Sequence, residues 1–236
     1  MRLQQQPAFV LHSRPYRETS LLLECLTRDH GRLGVVARGV RGERARLRRG
    51  QLEPFQMLAL DLLARGELAT MVAIEPVGAV LRIGGDAALA GLYLNELVVR
   101  LTGRDDPFPR LFAAYAQTLQ RLATDEPLAW TLRRFERDLL DAIGYGLPLQ
   151  YDAHSGEALD PDGSYQYQVG EGALACAPGA ARCLRGSTLL ALASDEMPDK
   201  QALQALRDMM RDVIRFHLGG GELRAWRVLA MAGSRR

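Results

Sequence analysis

The residues most able to do chemistry are concentrated in one run of cationic side chains. Residues 38–49 read RGVRGERARLRR, in which six of twelve positions are arginine and Glu43 is the one acid. Arginine presents a planar fork that matches phosphate oxygens and a flat face that stacks on bases. A like-charged run without apolar periodicity is typical of an exposed loop. The segment predicts contact with a polyanion; the alternative is a solubilising loop in an arginine-favouring chain whose one lysine is Lys200.

The distribution of charge favours the polyanion. The chain of 236 residues has a net charge of only +2, but residues 1–80 hold 12 arginines against 8 acidic residues, and the remainder is slightly acidic. Half of the arginines in residues 1–80 lie in the one cationic run. A positive field concentrated in one part of a chain is the pattern expected when that part touches nucleic acid.

Catalytic patterns are absent from the sequence. Its four histidines form no HExxH motif, and there is no GxSxG and no P-loop lysine. Asp160 and Asp162, in DPDG, are placed to ligate a hard cation, which would suit a metal-dependent nuclease. Such a sequence is more often a turn, because Pro and Gly set its backbone. We therefore expect a protein that is not an enzyme and that needs no cofactor.

The number of cysteines and the hydropathy of the sequence indicate the cellular compartment. The cysteines Cys25, Cys176 and Cys183 are odd in number and have no framework spacing, which is typical of a reducing compartment. Cys25 lies in an apolar stretch and is expected in the core. The start, MRLQQQPAF, lacks the apolar stretch of a signal peptide, and no apolar run reaches the roughly 18 residues of a membrane helix. We expect a cytoplasmic protein with no membrane contact.

Short β-rich runs dominate the first 80 residues. They predict five strands, at 8–14, 20–27, 32–38, 55–67 and 68–77. The fourth run has helical leucine spacing, but Pro54 precedes it, Gly66 ends it and strands flank it. Five strands in about 70 residues suggest a small closed barrel of the OB type, the five-stranded barrel that often binds single strands.

Helical periodicity replaces the strand pattern after residue 80. Helices are predicted at 87–103, 109–123 and 126–144, and again at 187–194, 199–221 and 222–229. The region at about 145–186 is rich in glycine and loops, with a plausible hairpin at 164–176. The fold class is therefore α+β: an N-terminal five-stranded OB-fold barrel, residues 1–80, followed by an α-helical bundle domain, residues 81–236, with a loop-rich insert.

Two details of the helices are predicted from spacing. Asp86 is placed to cap the first helix, and Asp199 to cap the fifth. On the first helix the apolar positions expected to face the core are Leu89, Leu92, Tyr93 and Leu97.

Read in order, the chain resembles the bacterial RecO family of DNA repair proteins. The similarity lies in FVLHSRPYRETSLLLECLT, HGRLGVVARGVR, GLYLNELVVRL and LRRFERDLLDAIGYG, in that order, and extends over residues 8–221. None of these motifs is decisive alone, and their order and separations carry the resemblance.

The resemblance implies a function and partners that composition and spacing do not give. It implies a recombination mediator that binds single- and double-stranded DNA, promotes annealing and helps load the recombinase RecA onto DNA covered by single-strand binding protein. The implied partners are the acidic tail of that protein, RecR and, indirectly, the RecA filament, with a nucleoid-associated location. The expected DNA-binding residues are Arg14, Arg17, Arg32, Arg38, Arg41, Arg44, Arg46, Arg48 and Arg49. Since charge does not separate DNA from RNA, an OB-fold protein acting on structured RNA stays the alternative.

The insert departs from the family pattern. Many members carry two CxxC pairs that bind zinc, and the aligned positions here are Asp152, Ser155, Ala175 and Pro178. A structural zinc site needs four nitrogen or sulfur ligands, whereas this region offers only Cys176, Cys183 and His154. We expect a degenerate zinc-finger-like insert without metal.

The third helix carries an ambiguous cationic group. Arg133, Arg134 and Arg137 lie beside the apolar stripe that includes Leu132. They are either a solvated face paired with nearby acids, or the docking site for an acidic peptide that ends in a hydrophobic residue. The family resemblance favours docking of the single-strand binding protein's tail.

Overall fold

Five strands form the first part of the molecule. The computed structural model describes residues 1–40 and 49–226. The strands are β1 (Arg2–Tyr16), β2 (Ser20–Thr27), β3 (Gly31–Ala37), β4 (Met57–Arg65) and β5 (Leu68–Pro76), with a 3-10 helix at Arg49–Leu52. The strand prediction for residues 55–67 is confirmed, since Pro54 and Gly66 bound β4 as expected.

The strands close into a barrel in the order β1-β2-β3-β5-β4. Neighbours are antiparallel except β3 and β5, which run parallel where Val35 faces Ala69. Closure leaves no free sheet edge. The fold class is therefore the one expected, an OB-type barrel followed by helices.

β1 is longer than predicted at its N-terminal end. Four of residues 2–6 are polar, so they lack the alternation that signals a strand, yet the segment pairs with β4 at Arg2↔Leu63 and Leu3↔Leu62. The pairing shifts between Leu3 and Gln6, and the backbone N–H of Gln5 donates to Asp61 Oδ1 at 2.8 Å. Pairing with β4 holds this segment, together with Leu3, whose side chain is buried in the barrel core.

The barrel interior is filled by aliphatic side chains from all five strands. Leu23, Val35, Leu58 and Leu60 are fully buried, and Cys25 lies among them, as expected of a core residue. Burial raises the pKa of the Cys25 thiol to about 12, so this thiol stays protonated and inert.

Helices α1 (Gly85–Leu101) and α2 (Pro109–Leu122) belong to the same compact unit as the barrel. The Asn95 side chain donates to the Leu11 carbonyl at 2.9 Å and accepts from the Tyr115 hydroxyl, which ties α1 to both β1 and α2. Tyr93 and Leu97 are buried as predicted. The prediction for Leu92 is wrong, since it is 48 % exposed and Leu94 takes its place in the core.

The cap of α1 also differs from the prediction. Gly84 occupies the N-cap and Asp86 lies inside the first turn. An acid there still stabilises the helix through the helix dipole.

A second compact unit spans Glu126–Glu222. It holds α3 (Leu128–Ala142), the sheet of β6 (Ser164–Gln168), β7 (Gly172–Ala175) and β8 (Cys183–Arg185), then α4 (Gly186–Ser194) and α5 (Lys200–His217). The predicted hairpin is β6 with β7, and β8 adds on the other side of β6. The core of this unit collects α3, the sheet, α4 and α5 around Trp130, Leu140, Leu189 and Met210.

The predicted start of α5 is confirmed, and its predicted end is wrong. Asp199 caps the helix as predicted, since its carboxylate accepts from the Ala202 N–H at 2.8 Å. The helix ends at His217 rather than residue 221, because Gly219 and Gly220 take positive φ. A further helix is predicted at 222–229, and within the described residues helical structure covers 224–226. No helix among the described residues has the length and apolarity needed to cross a membrane.

Candidate nucleic-acid interface

One end of the barrel gathers exposed cations. Arg14 lies near the end of β1, Arg17 in the turn to β2, and Arg38 directly after β3, and all three are exposed. Strand register brings them together: Arg14 faces Leu22 across β1 and β2, and Leu21 faces Ala37 across β2 and β3. Three of the nine predicted DNA-binding arginines therefore share this end of the barrel.

The cationic segment begins and ends at this barrel. The Val40 N–H donates to the Thr19 carbonyl at 2.9 Å, so the segment leaves the barrel beside the turn that carries Arg17. The Val40 side chain is buried in the barrel core, and so is that of Leu52, where the chain returns. The predicted residues Arg41, Arg44, Arg46 and Arg48 lie outside the described residues, and so does the side chain of Arg49.

Tyr16 is a residue that charge counting missed. Its ring lies 5.3 Å from the Arg17 guanidinium carbon, in cation–π geometry. Arg17 itself has a φ of 52°, the left-handed conformation of a tight turn. An aromatic residue between two arginines, Arg14 and Arg17, was the available signal, because interleaved aromatic and basic residues suit nucleic-acid binding.

Arg32 has a different role from its neighbours. One terminal nitrogen donates to Glu24 Oε2 at 2.7 Å and the other to the Thr102 carbonyl at 2.8 Å. Its side chain is 13 % exposed. Because both terminal nitrogens are committed inside the unit, we leave Arg32 out of the interface and assign it a structural role.

Arg104 completes this structural ion cluster. It also donates to Glu24, and the hydrogen bond to Glu24 raises the pKa of Arg104, with the carboxylate charge acting in the same direction. Its guanidinium lies over Gly34, where a Cβ would come within 3.3 Å of Cζ. A Cβ there would come still closer to Leu68 Cδ2, at 2.7 Å, so the absence of a side chain at Gly34 makes room for both Leu68 and the cation.

The three arginines of α3 are held by acids. Arg133 is only 6 % exposed and donates to Glu136, one turn along the helix. The expectation that it projects from a solvated face is wrong, and a buried guanidinium has no access to a peptide in solution. We therefore remove Arg133 from the docking surface.

Arg134 and Arg137 converge on Asp195, the left-handed residue that caps α4. Arg134 also pairs with Glu126 at 3.2 Å, while Arg137 pairs with Asp138 at 2.8 Å and donates to the Leu192 carbonyl. Burial acts to raise the pKa of Asp195, but the hydrogen bonds from the two arginines outweigh it and the pKa is lowered. These arginines fasten the C-terminal end of α4 to α3.

A cavity of about 300 Å³ adjoins this network. Arg137 lines it together with Leu147, Pro148, Leu149 and Tyr151, so an apolar wall and a cation meet there. Asp138 and Asp141 line the same cavity. Leu132, the fourth predicted docking residue, is half-buried on α3 and is not among the lining residues.

Asp152 stands where the resemblance places the first zinc cysteine. Its Oδ1 accepts from the N–H groups of His154 and Ser155 at 2.9 and 2.8 Å, and its Oδ2 accepts from the Ala175 N–H at 2.8 Å. The backbone bond from Ser155, followed by that from Ala175, lowers the pKa of Asp152. The carboxylate thus joins the two chain segments that a zinc ion would join.

The donors in the insert do not fit a zinc site. Within the described ranges, 1–40 and 49–226, no group of three or more His, Cys, Asp or Glu side chains is arranged to hold a metal. Asp160 and Asp162 form a turn, in which Asp160 Oδ1 accepts from the Asp162 N–H at 3.0 Å and the Asp160 carbonyl accepts from Gly163. The turn interpretation of DPDG is confirmed.

The fold is a closed OB-type barrel followed by helices, and the barrel presents clustered cations at one end. These features are typical of nucleic-acid-binding barrel proteins. Family models for the recombination protein O N-terminal and C-terminal regions match residues 1–80 and 84–227. The chain is 44% identical to the DNA repair protein RecO of Xanthomonas euvesicatoria pv. vesicatoria and 45% identical to that of Stenotrophomonas maltophilia strain R551-3, over the whole of both chains in each case. It belongs to the RecO family, and its role is in DNA repair and recombination.

Proposed function

We propose that the protein binds single- and double-stranded DNA at the arginine-bearing end of the barrel and anneals complementary strands. The observation that carries the proposal is the pair of buried anchors, Val40 and Leu52, which hold both ends of the cationic segment to the end that exposes Arg14, Arg17 and Arg38. Residues 41–49, which lie between these anchors in the sequence, contain five arginines. Phosphate contacts by such a cluster bind without regard to sequence.

Annealing is consistent with this arrangement because it needs no covalent step. Two polyanions must approach while their repulsion is neutralised and their base edges stay free to pair. Arginines that contact phosphates meet both requirements, since they leave the Watson–Crick edges exposed. We therefore propose an adaptor that is not an enzyme.

The proposed adaptor acts between other proteins and DNA. We propose that it works at the nucleoid, helps load RecA onto DNA covered by single-strand binding protein, and acts together with RecR. These partners come from the family resemblance.

For the acidic tail of single-strand binding protein, we propose docking at the cavity beside Arg137. The walls formed by Leu147, Pro148 and Leu149 suit a terminal aromatic ring, and Arg137 suits its carboxylate. Arg137 already donates to Asp138, Asp195 and the Leu192 carbonyl, so an incoming carboxylate must displace one of the two acids. We expect modest affinity that weakens with salt.

The cavity proposal is tested by calorimetry with a tail peptide. Arg137→Ala should weaken peptide binding about tenfold, the loss of one charge-assisted contact of about 1.4 kcal/mol. Arg207→Ala, an exposed arginine on α5, is the matched control. Unchanged peptide affinity in a folded Arg137→Ala variant would place the tail elsewhere.

The DNA proposal is tested by a salt titration of single-strand binding. If each side chain neutralises one phosphate, replacing Arg14, Arg17 and Arg38 with Ala should flatten the slope of log K against log salt by about 2 units. Arg28→Ala is the control, since Arg28 lies in the turn at the opposite end of β2 and is bound to Asp29 at 2.9 Å. Equal slopes for the triple variant and the wild type would refute this interface.

Competition separates DNA from RNA. A labelled single-stranded DNA bound to the protein is challenged with unlabelled DNA or with RNA of the same length and sequence. We expect DNA to compete at least as well as RNA, and the triple variant to weaken both. A strong preference for structured RNA would instead favour the RNA-binding alternative.

A further inference from the structure

Two thiols meet at the edge of the second unit. Cys176 follows β7 directly and Cys183 begins β8, and their Sγ atoms lie 2.7 Å apart. Both cysteines are half-buried, so reagents in solution reach them. The third cysteine, Cys25, is sealed in the barrel core and takes no part.

The backbone around the thiols fixes their approach. The Cys176 N–H donates to the Ser164 carbonyl at 2.9 Å, and Cys183 pairs with Gln166 on β6, so the central strand holds both residues. Residues 177–182 form the connection, closed by bonds from Ala180 to Ala177 and from Cys183 to Ala180. The two sulfurs are therefore positioned by hydrogen bonds other than their own.

A metal does not account for this pair. A structural zinc ion needs four ligands, and the described part of the chain brings no third His, Cys, Asp or Glu to these sulfurs. Two adjacent thiols can instead be joined by a two-electron oxidant, and the resulting S–S bond is about 2.05 Å long. Closing the pair requires the sulfurs to move by less than 1 Å.

We propose that Cys176 and Cys183 are a modification site that forms a reversible intramolecular disulfide with low-molecular-weight disulfides such as glutathione disulfide. The Cys183 thiolate attacks one sulfur of glutathione disulfide, which forms a mixed disulfide and releases one glutathione thiolate. Cys176 then loses its proton and attacks the Cys183 sulfur, which releases the second glutathione. The two protons from the cysteines end on the two glutathione thiolates, so the protein is oxidised by two electrons and glutathione disulfide is reduced.

The order of attack follows from the surroundings of each thiol. Burial raises the pKa of Cys176 to about 11, and the hydrogen bond with Cys183 and the charge of Cys183 act in the same direction. The raised pKa keeps the Cys176 thiol protonated at neutral pH. Cys183 lines a cavity of about 410 Å³ with Leu184 and Met209, which gives a reagent access to it, so we expect Cys183 to be the sulfur that reacts first.

The test counts free thiols by mass. The full chain is treated with glutathione disulfide, quenched, unfolded and alkylated with iodoacetamide. The reduced protein should take three labels and the oxidised protein one, on Cys25, without retained glutathione. In Cys176→Ser, one glutathione should stay on Cys183, because the resolving thiol is gone.

Three outcomes would overturn the proposal. In the first, the oxidised wild type carries glutathione on both cysteines and no internal bond. In the second, all three thiols stay free under conditions that oxidise a small dithiol. Cys183→Ser guards against a folding artefact: it should keep the tryptophan fluorescence of the wild type and lose the internal bond. An internal bond formed with Cys25 would also refute the assignment.

Discussion

The Asp152 carboxylate accepts a hydrogen bond from the Ala175 N–H at 2.8 Å, across 23 residues of sequence. Its other oxygen collects two N–H groups of its own turn. One acid therefore fastens the loop at residues 152–155 to the end of β7. This contact explains in physical terms how the insert is held together with aspartate at the position where the family resemblance places a zinc ligand.

Asp152→Asn should destabilise the second unit, because the amide nitrogen cannot accept from a backbone N–H. The folded state lowers the pKa of Asp152, so its contribution to stability is complete above the unfolded pKa of about 3.9 and is lost as the pH falls. The stability difference between wild type and variant should thus be large at pH 7 and shrink below pH ~4. Urea denaturation followed by tryptophan fluorescence measures it, with Trp130 reporting on this unit. A pH-independent difference would contradict the role of the charge.

The cationic segment should act on DNA and not on stability. Replacing Arg44, Arg46, Arg48 and Arg49 together with Ala should flatten the salt slope of single-strand binding by roughly 0.7 per arginine, about 3 units in all. Affinity should fall by a similar factor for all base sequences, because phosphates carry no sequence information. The melting temperature, measured in parallel, should stay that of the wild type. A folded variant with the original slope would show that this segment does not touch DNA.

Arg133 should matter to folding rather than to partner binding. Its guanidinium is 6 % exposed and meets Glu136, which is 1 % exposed. Arg133→Glu places two acids together in the interior and should reduce the free energy of unfolding by roughly 3–5 kcal/mol. Arg207→Glu, on the exposed face of α5, should stay within about 0.5 kcal/mol of the wild type. Equal denaturation midpoints for the two variants would contradict the buried pairing.

The purified protein should contain no stoichiometric zinc. The motivation is the donor set, because Asp152 already accepts three backbone N–H groups and the nearest cysteines form only a pair. Elemental analysis of protein purified without chelator tests this. About one zinc per chain that disappears in the double variant Cys176→Ser, Cys183→Ser would show that these cysteines recruit a metal after all.

How far the sequence predicts this fold depends on where the stabilising contacts lie. β4 was predictable because Pro54 and Gly66 mark its two ends. The cap at Asp199 was predictable because its hydrogen bond spans only three residues. The start of β1 was not predictable, because its hydrogen bonds go to β4, some 60 residues away. Leu92 was misplaced because helical spacing leaves open which neighbouring stripe faces the core.

The candidate site shows the same division between features set by local sequence, which were predictable, and features set by distant partners, which were not. Clustering of arginine predicted a cationic segment, and strand register places Arg14, Arg17 and Arg38 at the barrel end from which that segment leaves. Charge alone could not tell Arg32 from these neighbours, because its partners, Glu24 and the Thr102 carbonyl, come from other elements. Likewise Arg134 and Arg137 look available on α3 until α4 brings Asp195 against them.

The anchoring of the cationic segment at both ends limits how far it can reach. Val40 and Leu52 are both buried in the barrel core, and twelve residue-to-residue steps separate them, which is a fully extended contour of about 40 Å. Covalent geometry therefore keeps every residue between them within about 20 Å of one anchor. A phosphate that these arginines contact must then lie close to the barrel end that carries Arg14, Arg17 and Arg38, so one strand can meet both sets of cations.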